Sequence, residues 1–286
     1  MTSLCNLFGV TKQAYYQYHS TVMERLAKER FVIEFVKKIR ETNKGIGGLK
    51  LWLMYKKEFG DEYAFGRDVF ATILSDNNLK VRRKRRRIRT TNSDHDYPKY
   101  PDLVKALILD RPSQVWVSDI TYIPIGYKKF CFLSIVTDAY TKEIVGYCVG
   151  DSLNTKYTLK ALDMALYRIK DTTRLDLIHH SDRGVQYACF LYANRLKKMK
   201  IKISMTESGD PKDNAIAERV NGILKYEFLN HINFHDIKEV QNVVDTAVSF
   251  YNNERPHRSL AMMTPHEAAL HPDRIKKTWK SYKESV

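Results

Sequence analysis

The pattern that most restricts the architecture lies between residues 114 and 150. Three β-branched and aromatic runs, QVWVSDITYIPI (114–125), KKFCFLSIVTD (128–138) and EIVGYCVG (143–150), follow one another with only short connections. Such runs read as consecutive antiparallel strands. A helical pattern over 155–170 (Leu159, Leu162, Ala165, Leu166, Ile169) comes next, then a strand LDLIHH, a helix over 187–199, a strand IKISM and a last helix within GDPKDNAIAERVNGILKYE (209–227). Three strands followed by alternating helix and strand describe an α/β unit, a mixed five-stranded sheet with flanking helices.

The first hundred residues follow a different grammar. Residues 4–18 read as a short apolar turn, a break at Gly9 and a helix capped by Thr11, the second half of a helix-turn-helix whose exposed helix carries Lys12, Gln13, Tyr15 and Tyr16. Helical patterns continue over 22–42, 47–59 and 67–77, divided by NKGIGG and FGDEYAFG, so a small all-helical region precedes the sheet. The expected organisation is a helical DNA-binding region over 1–79, a basic linker over 80–112, a catalytic core over 113–235 and a helical extension over 236–286.

Charge separates these regions. Residues 1–100 hold 21 Lys/Arg against 11 Asp/Glu, whereas residues 101–286 hold 27 against 22. A net charge of +15 concentrated at one end points to a polyanionic partner, and nucleic acid is the commonest one. The segment KVRRKRRRIR (80–89), with Arg82, Arg83, Lys84, Arg85, Arg86 and Arg87, has eight basic residues in ten and suits a phosphate backbone. No apolar run is long enough to span a bilayer, and no leader pattern opens the chain. Four widely spaced cysteines without a C-x-x-C pair suit a reducing compartment and suggest neither a disulfide framework nor a structural zinc site. A soluble cytoplasmic protein is expected.

Carboxylates carry the chemistry. Asp119 interrupts the apolar strand VWVSDITYI, where an acid must be paired or must bind a cation. Asp182 follows the fourth strand in LIHHSDRGVQY, ahead of a glycine turn; taken alone it reads as a turn or capping aspartate. Glu218 lies near the start of the last helix, and Lys225 seven residues on shares its face, about 10 Å along the axis. An acid on the first strand, one after the fourth and one on a later helix can meet at one edge of a mixed sheet. His179 and His180, adjacent on a strand, point to opposite faces and read as structural or DNA-proximal.

These residues also carry a family resemblance. WVSDITYI, HSDRGVQY and GDPKDNAIAERVNGILKYE, with 35 residues between Asp182 and Glu218, resemble the three acidic motifs of DDE transposases and retroviral integrases. YNNERPHRSLAMMTPHEA (251–268) resembles the C-terminal signature of insertion-sequence transposases encoded in two reading frames, here the second-frame protein. The resemblance implies a ribonuclease H-like fold and Mg²⁺-dependent cleavage and strand transfer of an insertion element, with Mn²⁺ as substitute. It further implies two ions, with Asp119 bridging both, Asp182 on one and Glu218 on the other. Lys225 would then meet a phosphate or terminal base. Hard oxygen ligands suit such ions. Arg219 and Val220 stand where many relatives carry a small or aromatic residue, which is expected to alter DNA contacts. In the C-terminal signature, Asn252, Arg255 and His257 are expected to fix a turn. The implied partners are double-stranded DNA, further copies of the chain in a dimer or higher assembly, and a first-frame protein or fusion, because Met1 falls inside the helix-turn-helix; the implied location is the bacterial nucleoid. Two other readings use the same residues: a non-catalytic DNA-binding regulator of transposition, and a structure-selective nuclease.

Overall fold

The computed structural model describes residues 5, 7–61, 63–81, 96–127, 129–169, 176–207 and 214–275. The chain divides into two compact units, Met1–Arg82 and Arg83–Val286. Arg82, Arg83, Lys84, Arg85, Arg86 and Arg87 lie outside the described residues.

The first unit is helical: α1 (Lys12–Thr42), α2 (Gly48–Phe59) and α3 (Arg67–Asp76). The Thr11 hydroxyl accepts from Ala14 N at 3.0 Å, the expected N-cap. The helical readings that end at 18 and begin at 22 join into one 31-residue helix. Neither Gly nor Pro stands there, and Thr21 returns its hydroxyl to the carbonyl of Gln17 at 2.9 Å, so the polar residues stay within the helix. Its second half buries Val32, Phe35 and Val36. Phe35 meets Tyr55 edge-on at 5.2 Å, and Tyr55 lies 5.9 Å from Phe70, which ties the three helices into one small aromatic core.

The second unit is built on five strands, β1 (Val115–Ile125), β2 (Lys129–Asp138), β3 (Ile144–Gly150), β4 (Ile178–Ser181) and β5 (Lys202–Met205), in the order β3-β2-β1-β4-β5. β1, β2 and β3 are antiparallel neighbours, whereas β4 and β5 join β1 in parallel. This is the expected mixed sheet. Between β3 and β4 lies α4 (Thr155–Tyr167); between β4 and β5 lie α5 (Val185–Ala188) and α6 (Phe190–Lys198), which divide at the extended backbone of Cys189. Leu162, Ala165, Tyr192 and Leu196 from these helices pack with Trp116 in the main core. Gly146 permits the close approach of α4, because a Cβ there would run into the carbonyl oxygen of Ala161.

The opposite face is covered by α7 (Ala215–Ile223), which continues as a π-helical turn (Leu224–Phe228), and by α8 (Ile237–Asn253); α9 (Pro265–Leu270) follows. Ala217 packs on Val115, Val117 and Ile178. Residues 96–109 also lie on the sheet unit: Tyr97 and Tyr100 pack against the core, and Leu103 N donates to Ser204 Oγ at 2.9 Å. Among the described residues, no helix is long and apolar enough to cross a membrane.

Candidate active site

Parallel register sets the two aspartates side by side. Ser118 on β1 pairs with Ser181, the last residue of β4, so the residue that follows each is an aspartate, with the strands about 4.8 Å apart. β4 stops at Ser181 while β1 continues to Ile125. Asp119 therefore stands where β1 has just lost its neighbour on that side, which is how a mid-strand acid is accommodated. Strand alternation puts Asp119 on the same face as Val115 and Val117, the face under α7.

Two amides bind α7 to this point. Asn214 Nδ2 donates to the Ser118 carbonyl at 3.0 Å, and Asn221 Nδ2 donates to Asp119 Oδ2 at 2.8 Å. Asn214, Ala217 and Asn221 follow helical spacing, so one face of α7 carries both amides and the small residue that lets the helix approach. Asn214 occupies the N-cap position without a capping bond from its side chain, whose amide goes to this strand contact instead. Glu218 lies in the exposed first turn between the amides, where the helix dipole favours an acid.

The carboxylates act on one another. Burial first, then the charge of Asp182 and, least, that of Glu218 push Asp119 up to about 7 against the opposing hydrogen bonds from Asn221 and Ile120. Lys225 is half-buried, and burial lowers its pKa while Asp119 opposes the change. Asp182 is held by its turn, accepting from Gly184 N at 3.0 Å. Among the described residues, no three His, Cys, Asp or Glu side chains are close enough to share one ion. Glu218 thus reaches Asp119 through its field and does not close a ligand set in this conformation. The donors are nevertheless all hard oxygens, and a cation beside them would offset the burial and the repulsion from Asp182 that raise Asp119.

Neighbouring groups fix the platform. His179 and His180 are both buried, and each serves packing. Ser118 Oγ and Tyr192 OH lie 2.8 and 2.9 Å from His179 Nε2, and burial, reinforced by His180, pushes His179 down to about 3. His180 Nδ1 lies 2.8 Å from Ser204 Oγ. Tyr187, one of the second acidic motif's residues, places a buried hydroxyl with no hydrogen bond in the field of both Asp119 and Asp182. Arg219 is exposed, and its charge is felt by Tyr251. The C-terminal signature is structural: Asn252 bonds both the N–H and the carbonyl of Ile144, at 3.0 and 2.9 Å, and Arg255 forks onto Glu227.

Asn221 carried no sequence reading. Its signal was its spacing, three residues after Glu218 and seven after Asn214.

Comparison with known proteins defines the class. An integrase core domain model matches residues 110–211, and a second integrase core model matches residues 199–265, which together span the sheet unit. The "Insertion element IS600 uncharacterized 31 kDa protein" of Shigella sonnei is 33% identical over 92% of this chain and 96% of its own length. The "Putative transposase for insertion sequence element IS986/IS6110" of Mycobacterium tuberculosis is 30% identical over 82% of this chain and 85% of its own. Among solved structures, the HTLV-2 integrase catalytic core domain in complex with magnesium has 17% identity and a TM-score of 0.42, covering 55% of this chain and 95% of that one. The chain belongs to the insertion-sequence transposases of the retroviral integrase superfamily, enzymes of the DDE polynucleotidyl-transferase class.

Proposed function

We propose that Asp119, Asp182 and Glu218 are the catalytic acids of Mg²⁺-dependent cleavage and strand transfer at the ends of an insertion element. The adjacency of Asp119 and Asp182 on parallel strands, beneath a helix that carries Glu218, supports this reading more than any other observation. The three acids would hold Mg²⁺, with Mn²⁺ as substitute, and two ions suit the chemistry: such ions activate an attacking oxygen and steady a departing one.

The chain's own groups have separate tasks. Asn221 and the Ile120 N–H orient the Asp119 carboxylate. Asn214 holds the start of α7 to β1, so that Glu218 is presented toward the same edge. Lys225 offers a cation beside that edge for a DNA phosphate. Arg219 and the basic run Arg82, Arg83, Lys84, Arg85, Arg86 and Arg87 would extend the contact along the duplex. Residues 1–79 would be the DNA-binding region, 80–112 the basic linker, its part over 96–109 packed on the sheet unit, 113–235 the catalytic core and 236–286 the extension. Bringing two ends together calls for a dimer or higher assembly on DNA, in which a first-frame protein or fusion would be a further partner. Such a protein acts at the nucleoid.

The test uses labelled duplexes carrying the sequences that flank the coding region, with Mg²⁺ or Mn²⁺. Asp119→Asn, Asp182→Asn and Glu218→Gln should each abolish nicking and joining while duplex binding persists. Normal turnover in any one removes that residue from the site, and wild-type binding without nicking leaves a regulator of transposition.

A further inference from the structure

Beyond α7 the helix widens into the π turn Leu224–Phe228, a local form with its own geometric demands. Lys225 and Glu227 stand two residues apart there, so they project from nearly opposite sides. Lys225 follows by four residues Asn221, whose amide donates to Asp119 Oδ2 at 2.8 Å, so it lies on the side of Asp119, whose charge acts on it. Glu227 is gripped from the other side: Arg255 Nε donates to Oε2 at 2.8 Å and Arg255 Nη2 donates to Oε1 at 2.6 Å. The two side chains are only 12% and 3% exposed. His257 Nε2 lies 3.0 Å from Arg255 Nη1, and the Tyr251 ring lies 5.8 Å from the guanidinium.

A buried ion pair adds little stability, because desolvating two charges offsets their attraction; what it supplies well is a fixed geometry. A two-point fork holds a carboxylate in position and in angle. We propose that Arg255 is a positioning residue: through Glu227 its fork sets the rotation of the π turn and holds Lys225 beside the catalytic edge, ready for a DNA phosphate. This rests on the phosphate-binding reading of Lys225 given above.

Two measurements separate the inference from that reading. The first is the salt dependence of binding to a fluorescent duplex carrying the flanking terminal sequence. The second, without DNA, is the rate at which an amine-acylating reagent modifies Lys225, read by peptide mass spectrometry. Arg255→Lys and Lys225→Ala should each flatten the log–log salt slope by about 0.9, one phosphate contact, and the double variant should lose no more than either. In Arg255→Lys and Glu227→Gln, Lys225 should be acylated several-fold faster as it swings into solvent. Should Lys225→Ala keep the full slope while Arg255→Lys still speeds acylation, the phosphate reading fails and the clamp stands. The clamp is overturned if Arg255→Lys and Glu227→Gln keep both the slope and the acylation rate, if the double variant sums the two losses, or if neither variant retains a folded core.

Discussion

The sheet unit solves the problem of a desolvated carboxylate in two ways. At Glu227 it supplies its own counter-charge, a nearly buried arginine forked onto both oxygens. At Asp119 it supplies an amide and a backbone N–H, sets a second aspartate at the next strand, and lets a glutamate act from the helix above. The first acid is balanced within the fold. The second is held in place without being balanced, and electrostatics of that kind mark functional sites more than structural ones. A chain able to neutralise an acid with Arg255 does not use an arginine at Asp119, and the difference supports the catalytic role proposed for Asp119.

Substitutions should divide along the same line. Asp119→Asn is expected to reduce strand transfer by at least about 10³-fold, roughly 4 kcal/mol of barrier, in a gel assay of labelled ends. The same change should alter urea stability by less than about 1 kcal/mol, since it removes repulsion while leaving a neutral side chain. Arg255→Met should behave in the opposite sense, costing about 3–5 kcal/mol in urea because it strands the Glu227 carboxylate. Equal stability losses at the two positions would erase the contrast. Next in size, Mg²⁺ at a hundred times its Kd should stabilise the wild type by about 2.7 kcal/mol, seen as a rise in Tm, and should fail to stabilise Asp119→Asn.

Acid tests the platform beneath the aspartates. The folded-state pKa of His179 lies below its ordinary value, so the unfolded chain binds the proton first and stability falls as pH drops from 6.5 toward about 3. The loss should reach about 1.4 kcal/mol by pH 5.5, one unit below the ordinary value. It should be absent in His179→Gln, which keeps an acceptor for Ser118 and Tyr192, as followed by urea titration across that range. The smallest effect is expected at Lys225, where Ala should remove about one phosphate contact from the salt slope of end binding. An unchanged slope makes Lys225 a surface lysine.

Much of the sheet could be read from the sequence because its signals are local. β-branched runs marked the three antiparallel strands, and Asp119 drew notice because an acid violated such a run. What escaped depends on pairing between distant segments. That β4 ends at Ser181, and so opens a place for Asp119, is a property of two strands together and has no signature in either. Arg255 and Glu227 are separated by 28 residues, and only the packing of α8 against the π turn brings them into register. Local patterns also ran short of the structure: the separate helical readings that end at 18 and begin at 22 are one continuous helix, α1. Residues 96–109 read as polar linker, yet Tyr97, Tyr100 and Leu103 suffice to anchor them.

The way α7 is attached has a consequence for how such a site adjusts. Asp119 is set by the register of a long strand and Asp182 by the turn directly after the neighbouring strand, so the two resemble the fixed jaw of a caliper. Glu218 rides on a helix fastened by two asparagines, and it forms the sliding jaw. Evolution, or an engineer, can reset the gap by altering those fastenings alone, while the sheet that bears the aspartates stays untouched.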